Sequence, residues 1–347
     1  MYIKKILLII VAAGLVVGGA FAYMVYRAFF LPNTSFNNEV AYVHIPSSSD
    51  FAGVKDLMEP LLKDIETFES AAERKGYSSN VKAGKYAIKK GMGNNDIVNS
   101  LRSGNVPVKV AFNNQETLED LAGRISLQIE ADSLGLLHAF KDSAYLESNG
   151  FDLKTALSMY IPNSYEFFWN TSAEGFRERM YKEYKRFWND QRLAKAKALG
   201  LNPAEVITLA AIVHKETAKV DERPRVAGVY LNRLKKRMPL QADPTVIYAL
   251  KLHTGNFDTV IKRVLYKDLE LDSPYNTYKH GGLPPGPIAM PDISAIDAVL
   301  NREKHDYYYF VANVENFGYH KFAKTLRQHN RNKEQYVRWI NSKKINR

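Results

Sequence analysis

Cysteine is missing from the whole 347-residue chain, which rules out disulfides, thiolate zinc sites and a cysteine nucleophile. The eight histidines form no HExxH pattern, and neither a GxxxxGK phosphate loop nor a GxGxxG turn occurs, so metalloprotease and nucleotide readings have no motif to rest on. No metal or cofactor is indicated. Acidic residues are in deficit, 37 against 48 basic ones, for a net charge of +11. Such a charge suits anionic partners, whether nucleic acid, phospholipid headgroups or an acidic wall polymer, without choosing among them. Lys and Arg are spread along the chain, so plain solubility is the competing reading. Hydrophobic content of 46% and charged content of 24% belong to a globular chain, and the length suggests roughly two folded units.

Charge is also absent from Ile6 to Tyr26, ILLIIVAAGLVVGGAFAYMVY. As a helix this run is roughly 31 Å long, enough to cross the hydrocarbon layer of a bilayer. Lys4 and Lys5 precede it, and the positive-inside tendency then puts residues 1–5 in the cytoplasm and the remainder outside, in the periplasm or beyond a cell (inner) membrane. Arg27 on the far flank works against that orientation. A cleaved signal peptide is the alternative, because Ala20-Phe21-Ala22 fits a small-x-small processing site. The apolar run continues through Tyr23, Met24, Val25 and Tyr26, which favours a retained anchor over 6–26.

Beyond Pro32 the patterns alternate between strand and helix. Val40 to Ile45 reads as an edge strand, Phe51 to Lys63 and Ile65 to Lys75 as helices, and Gly84 to Ile88 as a strand. Asn94 or Asn95 can cap a helix carrying Ile97, Val98 and Leu101 that ends at Gly104. A strand from Val106 to Phe112 and an amphipathic helix from Thr117 to Ile129 follow. Residues 38–113 resemble a LysM-like module, a small α/β fold that binds N-acetylglucosamine chains; a spacer without ligand is the plainer reading. Residues 114–200 read as a helical connector and the start of the C-terminal region. Within it MYIPNSYEFFWNTS is an aromatic cluster, either core or a sugar platform, and Ala173 to Leu199 is a long amphipathic helix or helix pair.

The stretch LAAIVHKETAKVDER, Leu209 to Arg223, holds the most informative residue. Asn202 can cap, Pro203 fits the first turn and Glu205 stands three positions after the cap, which predicts a helix from Pro203 to about Lys219. Helical phasing lines up Leu209, Ile212, Val213 and Val220, with Glu216 inside that apolar stripe. A carboxylate beside apolar groups, at the negative end of a helix dipole, is disfavoured as an anion, so its pKa should rise and it becomes a candidate proton donor. The alternative is a surface glutamate whose head reaches Lys215, Lys219 or Arg223. Further on, Arg225 to Leu234 reads as a helix, Asp243 as the cap of another with Pro244 at its first position, and Pro274 to Ile288 as stiff polar loops suited to a saccharide wall. YYYFVA and FGYHKF read as a strand pair around a turn at Asn313 to Asn316.

KETA at 215–218, ER at 222–223, VYLNRL at 229–234, LQADPTVIYAL at 240–250, YNTY at 275–278, GLPPGPI at 282–288, YYFVA at 308–312, HKF at 320–322 and HN at 329–330 resemble the endolytic murein transglycosylase family, the YceG-like (MltG) proteins. AGKYAI with IVNSLRSG and the N-terminal apolar run also fit that family's layout. The resemblance implies an α+β chain with an N-terminal transmembrane helix, a LysM-like module and, over 201–347, a mainly helical catalytic domain with a small antiparallel sheet. It implies cleavage of nascent peptidoglycan glycan strands between N-acetylmuramic acid and N-acetylglucosamine with a 1,6-anhydro end, terminating strand elongation. Glycan strands and the membrane would be its partners, peptidoglycan synthases candidates, and nucleic acid none. Its catalytic glutamate falls on Glu216. The chain departs from the family at His214, where many relatives carry a second acidic residue, and in MYIPNS, where an acidic residue is usual.

Hydrolytic glycosidases need two carboxyl groups, whereas a lytic enzyme uses the substrate's own C6 hydroxyl as nucleophile, already held at high effective concentration. Glu216 can then serve as acid and afterwards as base. On this reading Gln241, Asp243, Asn276 and the backbone of the loop carrying Gly282, Leu283 and Pro284 hold the sugar, Tyr275 and Tyr278 offer stacking faces, and His320 lines the cleft or is a structural strand histidine. A hydrolytic muramidase, with Asp243 or Glu222 as second carboxyl, and a membrane-tethered wall-binding scaffold without activity are the competing functions.

Overall fold

A computed structural model describes residues 2–342. The chain folds into two compact units. The first comprises the residues up to Val110 together with 127–131 and 165–172. It starts with helix α1 (Tyr2–Phe30), none of whose residues is buried and which is long and apolar enough to cross a membrane. Its last turn belongs to the folded module: Asn94 Nδ2 donates to the Ala28 carbonyl at 2.7 Å, and Phe29 packs against the module's core.

That module pairs β1 (Val40–Ile45) antiparallel with β2 (Gly84–Lys89), Val40 opposite Lys89 and Ile45 opposite Gly84. Between them run α2 (Phe51–Met58) and α3 (Ile65–Arg74), and after β2 comes α4 (Asn94–Ser103). Ile45, Val54, Met58, Phe68, Tyr86, Ile97 and Leu101, all 1% exposed or less, fill the space between strands and helices. α2 stops at Met58, short of the expected Lys63, and a single 3-10 turn carries Pro60, whose ring cannot continue an α-helix. The expected asparagine cap of α4 is also different. Gly93 is the cap, and Asn94 is buried, accepting from Asn33 and donating to Thr67 and Ala28. β3 (Pro107–Phe112) pairs with β4 (Asn163–Phe168), a strand that the aromatic segment did not announce because only Phe167 along it is buried.

The second unit holds residues 111–126, 132–164 and 173 onward, and so takes in most of the stretch 114–200 together with the C-terminal region. It is mostly helical: α5 (Leu118–Ser126), α6 (Ser133–Phe140), α7 (Ser143–Ser148), α8 (Ala173–Phe187), α9 (Asp190–Leu199), α10 (Pro203–Glu216), α11 (Arg223–Lys235), α12 (Asp243–Thr254) and α13 (Ile293–Leu300). The antiparallel hairpin β5 (Tyr309–Ala312) and β6 (His320–Ala323) and a final α14 (Leu326–Ser342) complete it. α8 and α9 resolve the long amphipathic run into a pair, separated where Asn189 caps the second helix.

α10 organises this unit. Asn202 Oδ1 accepts from Glu205 N at 2.9 Å while Glu205 Oε2 accepts from Asn202 N at 2.8 Å, the reciprocal cap expected from the spacing. Every residue from Val206 to Val213 is 3% exposed or less, so the helix is enclosed on all sides instead of showing one apolar stripe. It ends at Glu216, earlier than the expected Lys219. Thr217 turns extended, its hydroxyl accepts from Lys219 N at 3.1 Å, and Val220 is left 56% exposed, outside the core. A local side-chain bond of this kind competes with the helix.

Candidate active site

Glu216 is the last residue of α10. The side chain as a whole is half-buried, yet Oε2 is fully enclosed and has no hydrogen-bond partner among the described residues. Burial at the carboxyl itself governs its proton affinity. Loss of hydration pushes the group up to about 7; Asp243 adds to the rise, while His320, the Tyr230 hydroxyl and Arg233 hold it back. The surface-glutamate alternative does not hold: Lys215 Nζ pairs with Glu116 at 2.6 Å, Arg223 bonds Ser294 and Asp292, and Lys219 lies over the Tyr319 ring.

Four side chains therefore converge on Glu216 from three elements. Tyr230 and Arg233 stand one turn apart on α11, Asp243 opens α12, and His320 opens β6. Tyr230 is 1% exposed, and burial, reinforced by Glu216, keeps its hydroxyl protonated. Arg233, 8% exposed, fastens the loop ahead of α12: Nε donates to Tyr308 O at 2.7 Å and Nη1 to Leu240 O at 2.8 Å and Pro239 O at 3.2 Å. In that loop Gln241 adopts φ 49°, a left-handed conformation that costs a non-glycine residue of order 1 kcal/mol and marks a position held by its surroundings. Gln241 N donates to Thr277 O at 3.1 Å and Ala242 N to Thr277 Oγ1 at 3.1 Å, so the two loops that carry Asp243 and Tyr278 are zipped together.

The other expected site residues divide. Asp243 does not cap α12, whose cap is Ala242 with no side-chain bond; its carboxylate instead accepts from Tyr278 Oη at 2.6 Å. Tyr278 thereby joins the site. Tyr275 offers no open stacking face, being 7% exposed and packed on Tyr248 with ring centroids 4.7 Å apart. Asn276 is fully buried, with Nδ2 donating to Leu269 O and Leu271 O and Oδ1 accepting from Tyr278 N, which leaves nothing for a sugar. Leu283 and Pro284 line a recess with Asn202, Ala204, Glu205 and Thr208, towards the opposite end of α10 from Glu216, about 12 to 21 Å away along the helix axis. Gly282 is exposed beside them. Nearer Glu216, a recess of about 310 Å³ is lined by Lys215, Pro244, Tyr248, Phe257 and Ile288.

Sequence reasoning missed Tyr230 and Arg233 as site residues. Their spacing put them on α11, but nothing in the sequence says which face of that helix meets residue 216. It also missed the bonding of Glu222, which is 4% exposed. Glu222 Oε1 accepts from His320 N at 2.7 Å, and Oε2 accepts from His320 Nδ1 at 2.7 Å and Thr217 Oγ1 at 3.1 Å. Burial would raise this carboxyl, but the hydrogen bonds from His320 and Thr217 prevail and hold it below the ordinary glutamate range. Such a group is committed to holding its neighbours and is a poor second catalytic carboxyl. On the far side of Thr217, Arg223 Nε reaches Thr217 O at 3.4 Å, and His214 lies 3.3 Å from Arg223 and 3.2 Å from Asp292. Burial lowers the His214 pKa, with Asp292 opposing and Arg223 and Lys215 assisting.

The chain that builds this site belongs to the YceG-like family, whose model matches residues 43–335. Among its relatives is the endolytic murein transglycosylase of Bacillus subtilis, 32% identical over 348 residues, covering 95% of this chain and 93% of that protein. The endolytic murein transglycosylase of Streptococcus pneumoniae serotype 2 is 29% identical over 352 residues, covering 92% of this chain and 62% of that longer protein. The crystal structure of a yceG-like protein from Listeria monocytogenes matches with a TM-score of 0.57 at 30% identity, over 85% of this chain and 99% of that one.

Proposed function

We propose that this protein is an endolytic lytic transglycosylase of peptidoglycan, held at the membrane by α1. The observation that carries the reading is the Glu216 carboxyl, enclosed at Oε2 and raised to about 7, which keeps a transferable proton near neutral pH. Protonated Glu216 donates to the glycosidic oxygen between N-acetylmuramic acid and N-acetylglucosamine as the C1–O bond breaks. The C6 hydroxyl oxygen bonds to C1, and its proton passes to the carboxylate just formed, closing the 1,6-anhydro ring. Atoms balance without water, and cutting nascent strands in this way terminates their elongation.

Asp243 and Tyr278, bonded to each other, and the held loop at Gln241 form the sugar-facing side of this reading. The strand–helix–helix–strand order of β1, α2, α3 and β2 supports a LysM-like module that would bind the same glycan. Lys4 and Lys5 ahead of the apolar run support an exported orientation of the remainder.

Glu216→Gln keeps the shape and removes the proton; glycan-strand cleavage should fall by at least two orders of magnitude, with folding intact. Mass spectrometry of the wild-type products should find anhydro ends. Products heavier by one water would establish a hydrolytic muramidase, and binding without cleavage would establish a scaffold.

A further inference from the structure

Glu222 is a buried carboxylate whose bonds all lead back to the residues around Glu216. Both oxygens of Glu222 take hydrogen bonds from His320, one from the backbone N–H and one from Nδ1, each 2.7 Å long. Such a two-point hold fixes the ring's rotation and keeps a proton on Nδ1 whether or not the ring is charged, because an anionic oxygen accepts only from an N–H. Nε2 is then the nitrogen free to act. The same Oε2 accepts from Thr217, the residue that follows Glu216, and His320 is braced edge-on against Phe310 with centroids 5.0 Å apart.

We propose that Glu222 is a positioning residue for the transglycosylase reaction: by holding the His320 backbone, the His320 ring and Thr217 together, it fixes the His320 side chain at the end of α10 that carries Glu216. This rests on Glu216 being the acid. Of the side chains facing Glu216, His320 from β6 exerts the largest influence and, in its protonated form, favours the carboxylate; Arg233 from α11 acts the same way, Asp243 from α12 oppositely, and Tyr230 from α11 through its hydroxyl in favour of the carboxylate. Without the imidazole, Glu216 should hold its proton to higher pH.

The test uses the full chain with isolated glycan strands and reads the pH dependence of kcat. His320→Asn places an amide nitrogen where Nδ1 stood, so the hold by Glu222 survives while Nε2 is lost. The basic limb, where Glu216 loses its proton, should move to higher pH, with KM little changed. Glu222→Gln cannot accept from both His320 donors and should move the limb in the same direction. Thermal unfolding identifies any variant that fails to fold, and His320→Asn is the gentler of the two. A folded His320→Asn variant with the wild-type pH profile overturns the inference, as does a uniform loss of kcat with no shift of the limb. If Glu216→Gln stays active, the acid assignment itself fails; if it is inactive while His320→Asn keeps the wild-type profile, only the present inference fails.

Discussion

The folded chain holds the Glu216 proton more tightly than an unfolded chain does, and stability must register that difference. The carboxyl is raised from 4.5 to about 7, so its contribution is complete below about pH 4.5 and is lost as pH rises through about 7. Glu216→Gln cannot ionise. Its stability relative to wild type should improve between about pH 4 and pH 8 by at most about 3 kcal/mol, measured by denaturant titration at each pH; a difference that stays flat would contradict an enclosed carboxyl. Asp243 raises the same group, so Asp243→Asn should move the basic limb of the kcat profile to lower pH, the opposite sense to His320→Asn. A kinetic titration of the two variants side by side checks the sign.

Among the elements, α10 separates stability from chemistry along its length. Its start carries the reciprocal cap of Asn202 and Glu205, and its end carries Glu216. Asn202→Ala should cost about 1 kcal/mol in unfolding free energy and leave kcat within about twofold of wild type, because the cap is a whole helix length from the carboxyl. A large loss of kcat in a fully folded variant would mean that the helix transmits changes from one end to the other. The start of α10 was legible, since a cap, a first-turn proline and a glutamate three positions on are local signals. Its end was not: Thr217 leaves the helix to bond Glu222, and Glu222 is placed by a strand 98 residues away in sequence. The placement of Leu283 and Pro284 beside the start of α10 is illegible for a similar reason, since a stiff polar segment has the composition of a site wall whichever end of the core helix it covers.

For the whole molecule, α1 and the module behind it are joined by structure as well as by chain. Ala28 and Phe29 are built into the first unit, and a side chain at Gly93 would lie 2.9 Å from the carbonyls of Phe29 and Phe30. Removal of residues 1–24 should transfer the protein from the membrane pellet to the soluble fraction with cleavage of isolated strands retained. Extending the deletion through Leu31 should also lower the melting temperature of the first unit. Equal melting of the two truncations would show that the last turn of α1 contributes nothing to the module.

What the amino-acid order determined without help was local or patterned: the apolar span, the strands and helices of the first module, the cap of α10, and the position of a carboxyl among apolar residues. These follow from periodicities and short-range bonds within a few residues. Tertiary structure alone decided that α10 is enclosed on every side, that Tyr230, Arg233, Asp243 and His320 meet at its end, and that Tyr275 and Asn276 are spent inside the fold. Each of those facts depends on which faces of distant elements pack together. Burial then sets the proton affinity of Glu216, because desolvation acts on the space around a group and not on its neighbours in the chain.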